Sequence, residues 1–425
     1  MIFEKAHLEN GLRVITTPLP NMESATVTIW VNTGSRYESP KVAGISHFLE
    51  HMVAKGTTKR PTAKIIAETI DAFGGEFNAG TTKDWTNFYI KTRKAKLSLA
   101  FDLISDMVLD PLLKDEDIER EKGVIVEEIG MYEDTPMMHI DDVFERLIFK
   151  GHNLGCDIIG TRKSVKDMTR NDFLRYRKAY YCSDNILVTV SGGVDAKTVN
   201  KLAQKHLSSL PKLHPSVYKK FVPTQKKPRV LLEDKKAEQA HFMLGFLGRK
   251  RGEKDRFAEA VLTTILGGGM SSRLFSEVRE KRGLAYSIRT SSDHYDDTGY
   301  VETYAGVDPK RIDEALKVIL DQTYGLSSGE YKITSTEINK AKEYLKGHIA
   351  LSLEDTKVIN HFFGIRELKL GKLETPQDVY EGIDKVSYDE ILAVAQSIFN
   401  PEKLNLAIIG PYKDDSKFKK IITGK

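Results

Sequence analysis

The residues with the clearest chemistry are His47-Phe48-Leu49-Glu50-His51. On a helix, His47 and His51 stand four apart and project from one face. Two imidazoles so placed can hold one metal ion. Glu50 adjoins the second histidine and can face the open metal position, where it would take a proton from a water molecule. Zinc suits such a site because it acidifies water toward neutral pH and polarises a carbonyl. Nucleophile, electrophile and base are gathered in five residues, the parts needed for metal-assisted hydrolysis. The plain alternative is an exposed helix face with two solvated histidines, so the reading needs further ligands.

A catalytic zinc takes a third protein ligand and keeps a fourth position open. The stretch Glu119-Arg120-Glu121-Lys122-Gly123-Val124-Ile125-Val126-Glu127-Glu128-Ile129 offers candidates. Glu121 and Glu128 are seven apart, two helical turns, so they share a face, with Val124 and Ile125 roughly between them. Glu127 points elsewhere. An acid embedded in an apolar helix face is costly unless paired or metal-bound. Spacing therefore nominates both Glu121 and Glu128 and does not choose between them. His152 and Cys156 are also four apart, but their Gly/Asn-rich surroundings read as a loop rather than a second metal site.

Positioning these residues falls to alternating strand-like and helix-like segments. Gly11 to Thr17 is a short β-branched run. From Ala25 to Val31, Val27, Ile29 and Val31 alternate with Thr26, Thr28 and Trp30, which predicts a half-buried strand. The pattern turns helical from Gly44 through Phe48, Leu49, Met52 and Val53. A second helix is predicted from Thr62 to Phe73, ended by Gly74-Gly75, then a strand pair across Glu76 to Thr92. Helices follow over Ala95 to Val108 and from Asp115 to about Tyr132. The expected fold class is α+β, with mostly antiparallel sheets covered by helices.

The two halves of the chain repeat one another. Glu133-Asp134-Thr135, Asp172-Phe173-Leu174 and Asn185 to Val190 followed by Gly192 have counterparts in Glu354-Asp355-Thr356, Asp389-Glu390-Ile391 and Leu404 to Ile409 followed by Gly410. The offset stays near 220 residues, which points to two duplicated domains. They are expected over 1–214 and 230–425, joined by a Pro- and Lys-rich linker at 215–229. The second half has no His-x-x-Glu-His, and the position matching Glu128 falls near Ile349, so only the first half is expected to bind metal. Gly267-Gly268-Gly269 precedes a helix but lacks the Walker lysine and spacing, which argues against nucleotide binding.

Composition sets the outer bounds. A chain of 425 residues has room for two or more domains, and a net charge of +4 gives no reason to expect nucleic acid. Two cysteines, Cys156 and Cys182, make no disulfide framework and suit a reducing compartment. No signal peptide is visible in Met1 to His7, and no apolar run reaches membrane-spanning length. The expectation is a cytoplasmic protein with neither nucleic acid nor membrane as partner.

With these residues in view, the chain resembles the pitrilysin-type (M16, inverzincin) zinc metallopeptidases, in the branch of the mitochondrial processing peptidase and its bacterial relatives. The resemblance covers essentially the whole chain. Its strongest piece is His-x-x-Glu-His followed, after 76 intervening residues, by Glu128. It implies that His47, His51 and Glu128 bind one zinc ion per chain, that Glu50 is the general base, and that Glu121 supports a histidine ligand from behind. Asn10 to Val14, Lys55-Gly56-Thr57 and Gly74 to Ala79 match other family stretches, whereas Ala54 stands where relatives often have an aromatic or larger apolar residue. Asn78 and Ala79 match the edge strand on which the family's substrates add as an extra strand. Arg279 and Leu284-Ala285-Tyr286 match the family's arginine and tyrosine, which contact substrate backbone and steady the oxyanion. The implied architecture is LuxS/processing-peptidase-like, with sites enclosed in a chamber of four such domains. A two-domain chain carrying both motifs would then act as a homodimer on unfolded peptides, with Arg279 and Tyr286 working in trans.

Overall fold

The structure is a computed structural model describing residues 2–424. It contains two compact units. The first comprises residues 2–130, 156–219 and 351–376; the second comprises 131–155, 220–350 and 377–424. Each unit thus takes one short segment from the opposite half of the sequence.

The first unit is built on β1 (Glu4–His7), β2 (Arg13–Pro18), β3 (Ser24–Val31), β4 (Glu76–Thr81), β5 (Thr86–Arg93) and β6 (Ile186–Gly192). They form one sheet in the order β1-β2-β6-β3-β5-β4. Only β2 and β6 pair in parallel; the other neighbours are antiparallel. One face carries Val27, Ile29, Phe88, Ile90, Val188 and Val190 into a core shared with helices α1 (Ile45–Met52), α3 (Leu97–Leu109) and α4 (Asp115–Asp134), with α2 (Ala63–Ala72) at its margin.

The other face differs from expectation. Thr26, Thr28 and Trp30 are buried too, so β3 is covered on both sides rather than half-buried. The cover is the helix Thr356–Ile365, whose fully buried Asn360 donates to Thr26 O (2.8 Å), Thr28 Oγ1 (3.1 Å) and Thr189 O (3.2 Å). Ser191 donates its hydroxyl to the Asn360 carbonyl, and Thr26 and Thr356 hydroxyls meet at 2.8 Å. Alternation in β3 separates an apolar face from a hydroxyl-rich one, and hydrogen bonding rather than water satisfies the second. Gly364 is required there, because a Cβ would lie 2.6 Å from the Trp30 ring.

The second unit repeats the plan with β7 (Arg229–Asp234), β8 (Ala240–Leu247), β9 (Ala285–His294), β10 (Gly299–Val307) and β11 (Asn405–Gly410). Their order is β7-β11-β8-β10-β9, again with a single parallel pair, β7 with β11. Helix Pro136–Ile148 packs on β11, β8 and β7 through a cluster that includes Phe144, Phe149, Tyr300, Met243 and Ile409. Helix Arg256–Gly267 packs against β9, the edge strand. Two similar α+β domains are therefore present. No helix among the described residues is long and apolar enough to cross a membrane.

Candidate metal centre

Helix α1 is placed by its N-terminus. Gly44 adopts φ +93, where a Cβ would meet Ile159 O at 2.5 Å. The buried Glu38 carboxyl accepts from Gly44 N (2.6 Å), Ser46 N (2.8 Å) and Ser46 Oγ (2.6 Å), meeting the helix's unpaired amides, while burial pushes its pKa up to about 7 against those hydrogen bonds. Phe48, Leu49 and Met52 then lock one face of α1 into the core. That fixes His47, Glu50 and His51 on the other, partly open side. Helix α4 is anchored in the same way by Ile118, Ile125 and Ile129, which turns Glu121 and Glu128 toward α1. The face between the two acids is not wholly apolar, since Val124 is half exposed.

The two helices bring three ligand types together. His47 Nε2 lies 3.7 Å from Glu128 Oε1, and His51 Nε2 lies 3.6 Å from Glu128 Oε2. All three ligand atoms fall within 4.8 Å of one another. The separations are too long for hydrogen bonds. They are close to the ~3.3 Å between neighbouring ligands around a tetrahedral zinc with bonds of about 2.0–2.1 Å. Glu128 Oε2 is buried with no hydrogen-bond partner, an arrangement that a cation would satisfy. The donor set of two imidazoles, one carboxylate and an open side fits zinc. Among the described residues no other group of three or more His, Cys, Asp or Glu is arranged to hold a metal, and neither His152 nor Cys156 belongs to one.

The surroundings prepare the ligands. Glu121 Oε1 lies 2.9 Å from His51 Nδ1, and Lys55 Nζ lies 2.6 Å from Glu121 Oε2. With its Nδ1 proton directed to Glu121, His51 presents the Nε2 lone pair toward Glu128. Burial pushes the Glu121 carboxyl up, but hydrogen bonds from His51 and Lys55 outweigh it and the net shift is down. Burial, with the neighbouring His51, pulls His47 down to about 3, so this imidazole stays neutral and available for coordination. Burial raises Glu128. Glu50 is also raised, by burial first; the Thr81 hydroxyl, which donates to Glu50 Oε2 at 2.6 Å, pulls it back.

The remaining predicted positions fall in two places. Asn78 and Ala79 lie mid-strand in β4, which among the described residues pairs with β5 alone and is the edge of its sheet. There the Ala79 amide donates to Asn78 Oδ1 at 2.8 Å. Arg279 and Tyr286 are neighbours in the second unit. Arg279 Nη1 donates to Tyr286 O at 2.7 Å, and the guanidinium lies 5.1 Å from the Tyr286 ring centroid. Arg279 is carried on a wide helical turn, Phe275–Glu280, and the Tyr286 side chain projects from the start of edge strand β9, 77% exposed. Sequence reasoning missed Thr81, and it noted Lys55 only as part of a family-like stretch, without its contact to Glu121. Lys55 stands four residues after His51, a spacing that could have drawn notice, whereas nothing local marks Thr81.

Known proteins resemble this chain over most of its length. The family profile described as Insulinase (Peptidase family M16) matches residues 13–162, and that described as Peptidase M16 inactive domain matches residues 167–345. An uncharacterized zinc protease of Streptomyces coelicolor is 37% identical over 413 residues, spanning 96% of this chain and 89% of the relative. The uncharacterized zinc protease YmxG of Bacillus subtilis is 34% identical over 404 residues, spanning 95% and 97%. Among solved structures, a protease from Helicobacter pylori superposes with a TM-score of 0.90 at 25% identity, covering 96% of this chain and 100% of that one.

Proposed function

The chain belongs to peptidase family M16, and on that premise we propose that it is a zinc-dependent endopeptidase acting on unfolded peptides, with one zinc ion per chain. One observation carries the reading: the approach of His47, His51 and Glu128 to within 4.8 Å of one another, with Glu50 alongside.

Zinc held there supplies a Lewis acid that polarises the scissile carbonyl and eases the ionisation of water. Glu50 takes the proton of the attacking water on a carboxylate oxygen and passes it to the departing amine. Its burial, which raises its pKa, suits a group that must act first as base and then as acid. Glu121 holds the His51 ring in one orientation and tautomer. An extended peptide adds along the edge strand β4 beside Asn78 and Ala79, where Asn78 releases the Ala79 amide to the substrate. Backbone pairing of this kind accepts many side chains. Arg279 and Tyr286 contact the substrate backbone and the oxyanion from a second copy of the chain, in a homodimer whose chamber admits unfolded peptides and excludes folded proteins.

The test combines metal analysis with cleavage of an unfolded peptide. Wild type is expected to hold about one zinc per chain and to cleave. His51→Ala should lose both properties, and Glu50→Gln should keep the zinc and lose cleavage. Undiminished cleavage by Glu50→Gln would refute the assigned base. A zinc-loaded wild type that binds unfolded peptides and cleaves none would instead be a binding subunit.

A further inference from the structure

Thr81 is the last residue of β4, in register with Thr86 of β5. Its hydroxyl donates to Glu50 Oε2 at 2.6 Å, and among the described residues Glu50 has no other hydrogen-bond donor. The next residue, Thr82, uses its hydroxyl otherwise. It donates to Trp85 O and accepts from Asp84 N and Trp85 N, closing the turn into β5. The turn is therefore complete without Thr81, whose hydroxyl goes to the site alone. A half-buried carboxylate with one oxygen tied down has one oxygen left to meet water, and its side-chain torsions are no longer free to wander.

We propose that Thr81 is a positioning residue for Glu50: it fixes Oε2, so that Oε1 faces the reacting water, and it ties the base to the strand on which an extended peptide would pair. A substrate strand aligned on β4 is then aligned, through the same backbone, with the group that moves the proton. This rests on Glu50 acting as the base, as proposed above. The β-branched shape of threonine suits a strand, so valine keeps the backbone preference and the volume while removing the hydroxyl. Serine keeps the hydroxyl.

The experiment compares zinc-loaded wild type, Thr81→Val and Thr81→Ser by zinc content, by crystal structure, and by kcat and KM on one unfolded peptide. Thr81→Val should hold zinc as wild type does, show the Glu50 carboxylate displaced from its present position, and lose about five- to twentyfold in kcat with KM little changed. Thr81→Ser should keep the carboxylate in place and most of kcat. Should valine prevent folding, Thr81→Ala removes the hydroxyl without adding bulk and carries the same comparison. An unmoved Glu50 in the hydroxyl-free variant overturns the proposal, and so does a serine variant as impaired as the valine one. The crystal structure reads the position of Glu50 without turnover. Displacement of Glu50 by Thr81→Val, in a protein whose wild type cleaves nothing, would overturn the peptidase reading and leave the positioning role standing.

Discussion

His51 and Glu121 are joined at 2.9 Å through the imidazole nitrogen that faces away from Glu128. The contact decides which nitrogen of His51 carries the proton, and so which one is offered to a metal. Glu121→Gln keeps the shape and can still accept, but it loses the charge that holds both His51 and Lys55. Zinc affinity, measured by competition with a chelator, should fall about 10-fold for Glu121→Gln and nearer 100-fold for Glu121→Ala. An alanine variant that binds zinc as tightly as wild type would remove Glu121 from any supporting role.

If Arg279 and Tyr286 act on the partner's metal centre, two dead variants should rescue each other. Mixed under subunit exchange, Glu50→Gln and Arg279→Ala form hybrids with one intact site each. Equal mixing should restore about a quarter of wild-type activity, since roughly half the dimers are hybrid and half of their sites are whole. Rescue should grow with exchange time. A mixture no more active than its parts would place all the machinery on a single chain.

Asn360 gives a stability prediction. Its amide joins β3, β6 and the Thr356–Ile365 helix in a fully buried network. Asn360→Ala removes a partner from the Ser191 and Thr28 hydroxyls and the additional hydrogen bond from the Thr26 and Thr189 carbonyls, which keep their places in the sheet. It should cost about 2–4 kcal/mol, seen as a lower midpoint in urea unfolding. An unchanged midpoint would mean that the hydroxyl-rich face is hydrated and the helix loosely seated.

Glu302 predicts a pH dependence. It lies on β10, with the Ser291 hydroxyl donating to it and Arg289, Asp141 and Asp293 nearby. Burial pushes its carboxyl up to about 7 from 4.5, opposed by Ser291 and Arg289 and aided by the two aspartates. The folded pKa exceeds the unfolded one, so this group's contribution is full below about pH 4.5 and is lost as pH rises through about 7. The loss amounts to at most about 3 kcal/mol. Unfolding free energies taken at about pH 5.5 and about pH 8 should differ less in Glu302→Gln than in wild type. An equal difference in both would show that Glu302 ionises freely in the fold.

Much of the site is legible from local pattern. Helical spacing separates Phe48, Leu49 and Met52 from His47, Glu50 and His51, and the structure keeps that division. The choice between Glu121 and Glu128 is not local. Both lie on one face of α4, and only the approach of that helix to α1 puts one against His51 Nδ1 and the other between the two Nε2 atoms. Thr81 is hidden for the same reason, because its partner lies 31 residues earlier and on another element. In β3 the alternation is read correctly, but its threonine face was assigned to water; the helix that covers it comes from some 330 residues away. Strand β1 is four residues long, too short for any periodicity to show.

The exchanged segments have a consequence for biosynthesis. The sheet that carries the ligand helix stays bare on its threonine side until residues 356–365 have left the ribosome, well over a hundred residues after its last strand. A gene split near residue 220 would yield two fragments, each missing the segment that finishes its own sheet. Neither piece should persist in cells when made alone, and co-production of both is the condition under which either becomes soluble.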